Sequence, residues 1–192
     1  MTKVVFLDRD GVIIEDTHHL HKKEEVKLIQ NSAKAIKLLN EHNYLVIVVS
    51  NQSVVARGLC TEEEVKEINN YMNSLILEEG GKIDSFYFCP HHPIKGENPV
   101  YTKECDCRKP NIGMILRAQK DFHIKDTTEC FLIGDKTGDI QTGQRAGCKT
   151  ILVKTGYSGM WEDLYEKSTP DYLADDLYNS VKKIILKDIF AN

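Results

Sequence analysis

The run Asp8-Arg9-Asp10-Gly11 sets two carboxylates two residues apart where an apolar segment ends. Alternate residues of an extended chain point to one side, so the two acids meet near one point, and Gly11 lets the chain turn sharply behind them. Three other short stretches carry groups suited to a phosphoryl group. Ser50-Asn51 offers a hydroxyl and backbone N–H groups, and Lys109, just before Pro110, can neutralise charge on a transferring group. Gly134-Asp135-Lys136, with Asp139 following, supplies the hard carboxylate oxygens that Mg²⁺ prefers. Each piece alone has an ordinary explanation: an acidic turn, a helix cap, a solvated lysine, a second acidic turn. Their joint occurrence is the signal.

A second constellation is built on sulfur. Cys89-Pro90-His91 and Cys105-Asp106-Cys107 supply three thiols and an imidazole, a set that fills a tetrahedral zinc site and leaves no position open for catalysis. Reduced thiols in a loop are the alternative, and His92 is the competing imidazole. Cys60, Cys130 and Cys148 have no such spacing and are assigned to packing. Cys107 is followed directly by Arg108 and Lys109, so a metal held there would fix the lysine. The Arg108 guanidinium is a rigid fork suited to a pair of phosphate or sugar oxygens.

These residues need a frame that brings them together. Val4 to Leu7, Leu45 to Val49, Phe86 to Phe88, Phe131 to Ile133 and Thr150 to Val153 are short runs rich in β-branched or aromatic residues, as buried parallel strands require. Helical patterns lie between them. Ser32 to Asn40 carries Ala33, Ile36 and Leu39 on one face, and Thr61 to Leu77 opens with a Thr61-x-x-Glu64 capping box. The alternation predicts an α/β fold, a parallel sheet flanked by helices, with ligands bound beyond the carboxyl ends of the strands. Asp8 and Asp10 follow the first run, Ser50 to Gln52 the second, Cys89 to His92 the third and Gly134 to Lys136 the fourth. Between Pro90 and Pro110, four prolines and little apolar content mark one long loop.

The chain has 192 residues, 41% of them hydrophobic, enough for one core, so a single domain over 1–192 is expected, with the zinc loop at about 89–107. A net charge of −4 with no basic stripe argues against nucleic acid and anionic membrane as partners and for a small molecule. The apolar run at the N-terminus is too short for a signal peptide or a membrane span, and a cytoplasmic monomer is expected.

In order, Asp8-x-Asp10, Ser50, Lys109 and Asp135 resemble the four motifs of the haloacid dehalogenase superfamily of phosphatases. The resemblance implies a Rossmann-like fold and a magnesium-dependent hydrolase. In it Asp8 is the nucleophile that forms a phosphoaspartate, Asp10 is the acid and base, and Ser50 and Lys109 hold the phosphoryl oxygens. Asp8, Asp10 and Asp135 form the Mg²⁺ site. No insertion is long enough for a cap domain, so recognition falls to the loops: Asp16, His19, Asn51, Gln52, Ser53, Arg57, Arg108 and Lys136 are expected to bind substrate beside Ser50 and Lys109.

The cysteine loop, read with Asn-Gln-Ser and Ala-Arg-Gly, narrows the resemblance to phosphatases of heptose bisphosphates. It implies removal of the C7 phosphate from a heptose 1,7-bisphosphate, on the way to nucleotide-activated heptose for surface polysaccharide, with structural zinc in the loop. Histidinol phosphate or another small sugar phosphate is the alternative within the subgroup. A zinc-stabilised binding module without turnover is the alternative from another class, and the intact pair Asp8 and Asp10 speaks against it. The chain departs from that family at His18 and His19, where Gly-Tyr is common, at Val12 in place of Thr and at Val54 in place of Gly. All four lie in loops expected to face the substrate.

Overall fold

A computed structural model describes residues 2–157 and 168–187. All five apolar runs form strands: β1 (Lys3–Leu7), β2 (Tyr44–Asn51), β3 (Ser85–Cys89), β4 (Phe131–Gly134) and β5 (Lys149–Val153). A sixth, β6 (Tyr172–Ala174), pairs with β5 at the sheet edge. Three residues long and mostly exposed, β6 has no continuous apolar run to announce it.

Every pairing is parallel, and the strand order is β3-β2-β1-β4-β5-β6. From β1 the chain winds outward to β3, then returns and winds outward the other way from β4. The two halves diverge between β1 and β4, and at their carboxyl ends the connections leave in opposite directions and open a crevice. Asp8 follows β1 and Asp135 follows β4, so both expected acids stand at this point.

Alternation along β1 feeds two cores. Val5 and Leu7 join the layer that holds α1 (Ser32–Glu41), α2 (Glu62–Glu78) and α5 (Leu177–Ser180). Val4 and Phe6 join α3 (Gly113–Asp121) and Cys130 and Cys148 on the opposite face. The expected capping box opens α2: Thr61 Oγ1 accepts from Glu64 N, and Glu64 Oε2 accepts from Thr61 N.

The helix after β4, α4 (Thr137–Arg145), is short and polar, and small residues let it lie close to the sheet. A Cβ on Gly143 would stand 2.5 Å from Thr150 Cγ2. At its start, Asp139 Oδ2 accepts from Lys136 N at 3.1 Å, a cap that turns the first helical turn toward the crevice.

Residues 90–112 contain no helix or strand, as the prolines indicated. A third, smaller core of Val54, Val55, Cys60 and Val65 takes in Tyr101 from this loop, and the Ala56 carbonyl accepts from the N–H groups of Glu97 and Asn98. The loop after β2 and the cysteine loop are thereby fastened together. Val12 corrects one expectation. It does not face the crevice but is fully buried with Ile13 and Ile14 in the α1 layer, because the turn after Asp10 folds back under the sheet end. The departure from Thr at this position is a packing change.

Candidate active site

Four strand ends supply the polar centre. Lys109, 3% exposed, is its hub: Nζ lies 3.0 Å from Asp8 Oδ1 and 2.5 Å from Asp139 Oδ1, and donates to the Val49 carbonyl at 2.8 Å. Asp8 Oδ1 also accepts from Arg9 N at 2.8 Å. Burial drives the Asp8 carboxyl upward, but the Lys109 and Lys136 charges with these two hydrogen bonds outweigh it, so the acid sits below its ordinary range and is anionic. For Lys109 burial acts downward, and Asp139 and Asp8 more than reverse it. Gly134 makes room for this packing, since a Cβ there would come 2.1 Å from that of Asp139.

Asp8, Asp135 and Asp139 gather three carboxylate oxygens within 4.8 Å of one another. Asp135 is fully buried, and its Oδ1 has no hydrogen-bond partner. Burial pushes this carboxyl up to about 8, with Asp8 and Asp139 adding to the rise and Lys136 opposing it. Three acids held by two lysines lack one positive partner, and a hard divalent cation fits that need. The Asp10 carboxylate is not in this group. It is gripped by Arg9, Nε to Oδ2 at 3.2 Å and Nη2 to Oδ1 at 3.0 Å, and accepts from Gln52 Nε2 at 2.8 Å.

The amides after β2 face inward. Gln52 Oε1 accepts from Arg9 and its Nε2 also donates to Ser50 Oγ, so both ends are engaged around Asp10. Asn51 clamps the Lys109 backbone, Oδ1 accepting from N at 3.0 Å and Nδ2 donating to O at 3.2 Å. Asp8, Asp10, Ser50, Asn51, Arg108, Lys109, Lys136, Gly138 and Asp139 enclose a small cavity of about 60 Å³. It adjoins a cleft of about 640 Å³ that takes in Asp16, His18, His19, Ser53, Arg57, His92, Lys95, Arg108 and Tyr157. Among the described residues no element covers this cleft as a separate domain.

One wall of the cleft is cationic. Arg57 Nε and Arg108 Nε are both buried without a hydrogen-bond partner, while Arg108 Nη1 donates to the His91 carbonyl at 3.0 Å. His92 is pushed down to about 4 by burial and by Arg108, Arg57 and Lys95, and is neutral. Its Nδ1 accepts from the N–H groups of Ile94 and Lys95, which leaves the ring proton on Nε2 as a donor. Burial and Arg57 lower His19 as well.

Below Arg108 lies the sulfur cluster. Cys89, Cys105 and Cys107 have Sγ atoms 3.2 to 3.5 Å apart, and His91 Nδ1 lies 3.7 Å from Cys89 Sγ and 3.5 Å from Cys107 Sγ. A tetrahedron drawn with zinc bond lengths of ~2.3 Å to sulfur and ~2.0 Å to nitrogen has S···N edges of ~3.5 Å and S···S edges of ~3.8 Å. The S···N separations match that frame, the sulfurs stand a few tenths of an ångström inside it, and none of the six cysteines is in a disulfide. Cys107 is lowered to about 5, chiefly by its hydrogen bond with Cys89, whose own thiol is pushed up. Of the two histidines, it is His91 whose ring nitrogen stands among the thiols, while the Nδ1 of His92 is engaged in its own turn.

Two residues at this centre escaped the motif reading. Asp139, noted only as a further acid near Asp135, is the closest partner of Lys109. Tyr157, beyond β5, donates its N–H to Asp135 Oδ2 at 2.9 Å, and no motif marks it.

Comparison with known proteins bears on this geometry. The HAD-hydrolase-like family profile matches residues 106–180. The chain is 40% identical over 191 residues to the D-glycero-D-manno-heptose-1,7-bisphosphate 7-phosphatase of Chlorobaculum tepidum, covering 96% of this chain and 94% of that one. It is 40% identical over 158 residues to the D-glycero-beta-D-manno-heptose-1,7-bisphosphate 7-phosphatase of Pasteurella multocida, covering 81% and 84%. Among solved structures, the D,D-heptose 1,7-bisphosphate phosphatase of B. bronchiseptica, complexed with magnesium and phosphate, superposes with a TM-score of 0.82 at 28% identity, over 97% of this chain and 99% of that one.

The Asn51 clamp carries a stability prediction. Asn51→Ala removes both hydrogen bonds to the Lys109 backbone and leaves its N–H and C=O half-buried without partners, so unfolding free energy should fall by about 1–3 kcal/mol. Urea denaturation measures this, and an unchanged midpoint would show that the lysine loop is held by other contacts.

Proposed function

The chain belongs to the HAD-like hydrolases, in the family of the D-glycero-D-manno-heptose-1,7-bisphosphate 7-phosphatases, and from that membership we infer that it hydrolyses the C7 phosphate of a heptose 1,7-bisphosphate. The observation that carries the substrate reading is the cationic wall of the cleft beside the transfer cavity, where Arg57, Lys95 and Arg108 stand together. Three positive side chains lining one cleft favour an anion, and a substrate with a second phosphate supplies one. The Nε2–H of His92 adds a neutral donor to the same wall.

The chemistry follows from the groups around Asp8. Its anionic carboxylate attacks phosphorus, forming the Asp8–phosphate bond as the bond from phosphorus to the sugar oxygen breaks. Asp10 gives its proton to that leaving oxygen. It then takes a proton from the water that attacks phosphorus, which frees Asp8 and inorganic phosphate. Arg9 and Gln52 aim Asp10 for both transfers. Lys109 and the Ser50 hydroxyl hold the phosphoryl oxygens, and most of the barrier reduction lies in this positioning and charge neutralisation. Asp8 and Asp135 would hold magnesium through their carboxylates. Asp139 lies in the same cluster, while the Asp10 carboxyl group is engaged by Arg9 and Gln52. When bound, the ion offsets repulsion between Asp8 and the phosphoryl oxygens.

In the loop, zinc on Cys89, His91, Cys105 and Cys107 has a structural role: it ties Cys107, and with it Arg108 and Lys109, to the end of β3. The chain acts alone in this reading, with a small phosphorylated sugar as its partner and no nucleic acid. No helix among the described residues is long and apolar enough to cross a membrane.

Three outcomes test the reading. Asp8→Asn should abolish turnover and leave the circular dichroism spectrum unchanged, and activity within about tenfold of the parent would rule out the phosphoaspartate. Protein prepared without added zinc should carry about one zinc per chain and lose it, with thermal stability, in Cys105→Ser; folded, active, zinc-free protein would remove the structural role. The third is kinetic, with the α and β anomers of heptose 1,7-bisphosphate, histidinol phosphate and an activated aryl phosphate assayed side by side. A heptose bisphosphate should be preferred, and Arg108→Ala should lower its kcat/KM by roughly tenfold to a hundredfold while harming the aryl ester less. Lys109→Ala, acting on the transferred group, should harm all alike. Preference for histidinol phosphate, or equal losses in Arg108→Ala, would overturn the assignment.

A further inference from the structure

Two loops that leave opposite halves of the sheet meet over the cleft. His18, in the loop after β1, contacts the phenol oxygen of Tyr157, beyond β5, through Nδ1. The two rings stand edge to face with centroids 5.6 Å apart at 63°. Both residues line the large cleft. The Tyr157 N–H is fixed on Asp135 Oδ2 at 2.9 Å, and Lys136 Nζ lies 4.6 Å from its ring centroid. On the other loop, Asp16 Oδ1 accepts from His18 N at 2.7 Å, and Asp16 Oδ2 pairs with Lys136 Nζ at 3.1 Å.

The backbone makes this contact unusual. His18 has φ +68°, in the left-handed region that side-chain-bearing residues rarely occupy. Of the other non-glycine residues with positive φ, Asn31 precedes α1 while Asn43 and His123 follow α1 and α3, where such residues commonly border helices. His18 borders no helix. It is exposed, and an exposed polar contact contributes little to folding, so stability does not account for the conformation. What the conformation achieves is to turn the imidazole onto Tyr157 at the cleft mouth.

We propose that His18 and Tyr157 act as one unit, a clasp that recognises the hydroxyl-bearing part of the substrate between its two phosphates. The inference rests on the heptose bisphosphate reading and deepens it. Arg57, His92, Lys95 and Arg108 come from the loops after β2 and β3, whereas the clasp joins the loop after β1 to the loop after β5 and so bridges the crevice between β1 and β4. Cationic donors take the distant phosphate along the wall made by the loops after β2 and β3. A neutral phenol and an imidazole, each able to donate or accept, take sugar hydroxyls where the two halves meet. Because Tyr157 is also anchored on Asp135, the clasp sets where the sugar stands relative to Asp8.

Two substitutions isolate it. Tyr157→Phe removes only the phenol oxygen and keeps both the ring beside Lys136 and the N–H on Asp135. His18→Gly removes the imidazole at a position whose φ suits glycine. With saturating Mg²⁺, kcat/KM is measured for heptose 1,7-bisphosphate and for an activated aryl phosphate, in the parent, each single variant and the double variant. Each single variant should lower the ratio of the two kcat/KM values at least about fivefold, mainly through KM for the sugar, and the double variant should fall little further than either, as for two groups acting as one. An unchanged ratio in both single variants, or losses that multiply in the double variant, would overturn the clasp. Failure of the underlying substrate reading is seen separately, in the parent protein, as the absence of a preference for the bisphosphate. In that case the same cycle, run on the parent's best sugar phosphate, decides the clasp.

Discussion

An ammonium group 3% exposed, wedged between two buried carboxylates, is the interaction on which the rest of this site depends. Removing a charge from water costs several kcal/mol, and partners recover that only when the geometry is tight. The Lys109 pairings at 3.0 and 2.5 Å therefore require that β1, β2, α4 and the cysteine loop end in fixed places. Each element meets the requirement differently. β1 delivers Asp8 through parallel register with β2 and β4, and β2 delivers both the Val49 carbonyl and the Asn51 clamp. α4 brings Asp139 close because Gly134 has no side chain. The lysine itself comes from a loop without regular structure, and there the sulfur cluster two residues upstream takes the place of a strand.

That division explains why the strand-end chemistry was legible in the sequence. Short β-branched runs that stop at an Asp or a Ser mark a sheet whose carboxyl ends carry polar groups, and Asp8, Ser50 and Asp135 all stood where such a run stopped. The frame was legible for the same reason, with β6 the exception, since an edge strand with little burial leaves no hydrophobic signature. Partner choice was not legible. Asn51 and Gln52 read as substrate contacts because an amide can serve a ligand or the protein equally well, and only tertiary placement shows their amides held by Lys109, Arg9, Asp10 and Ser50. His91 was the expected ligand with His92 its competitor, and only tertiary placement puts the His91 ring nitrogen among the thiols while His92 turns to Ile94 and Lys95. Val12 looked like a substrate-loop departure because its position beside the aspartates does not reveal that the chain doubles back beneath them.

The carboxylate cluster also separates folding from chemistry. Asp8, Asp135 and Asp139 within 4.8 Å oppose one another, and the protein alone relieves this only partly, through Lys109 and Lys136. Burial leaves Asp135 with a carboxyl raised to about 8, and a divalent cation bound there would displace its proton to solvent. An arrangement unfavourable to the empty fold is favourable to the one ligand class the reaction uses, and the cost falls on residues close to phosphorus. Asp10 stands outside this cluster because Arg9, 1% exposed, and Gln52 hold its carboxyl group, while the remaining donors of Arg9 reach Asn69 and Gln52.

Where the sheet is rigid, the loops around the cleft are where relatives of one fold can diverge. Residues that touch the phosphoryl group are held by buried charge and cannot change without disturbing one another. Those lining the outer cleft, His18, His19, Arg57, Lys95 and Tyr157, lie in loops whose other side chains supply the packing. The loop after β2 shows how this works: Val54 and Val55 bury themselves against Cys60 and Val65 and leave Arg57 to the cleft. In the proposed reading, recognition comes from groups at the rim of the cleft. The contacts of His18, Asp16, Lys136 and Tyr157 join the rim to Asp135 at the centre, so that in the proposed clasp substrate choice and catalytic geometry share a connection.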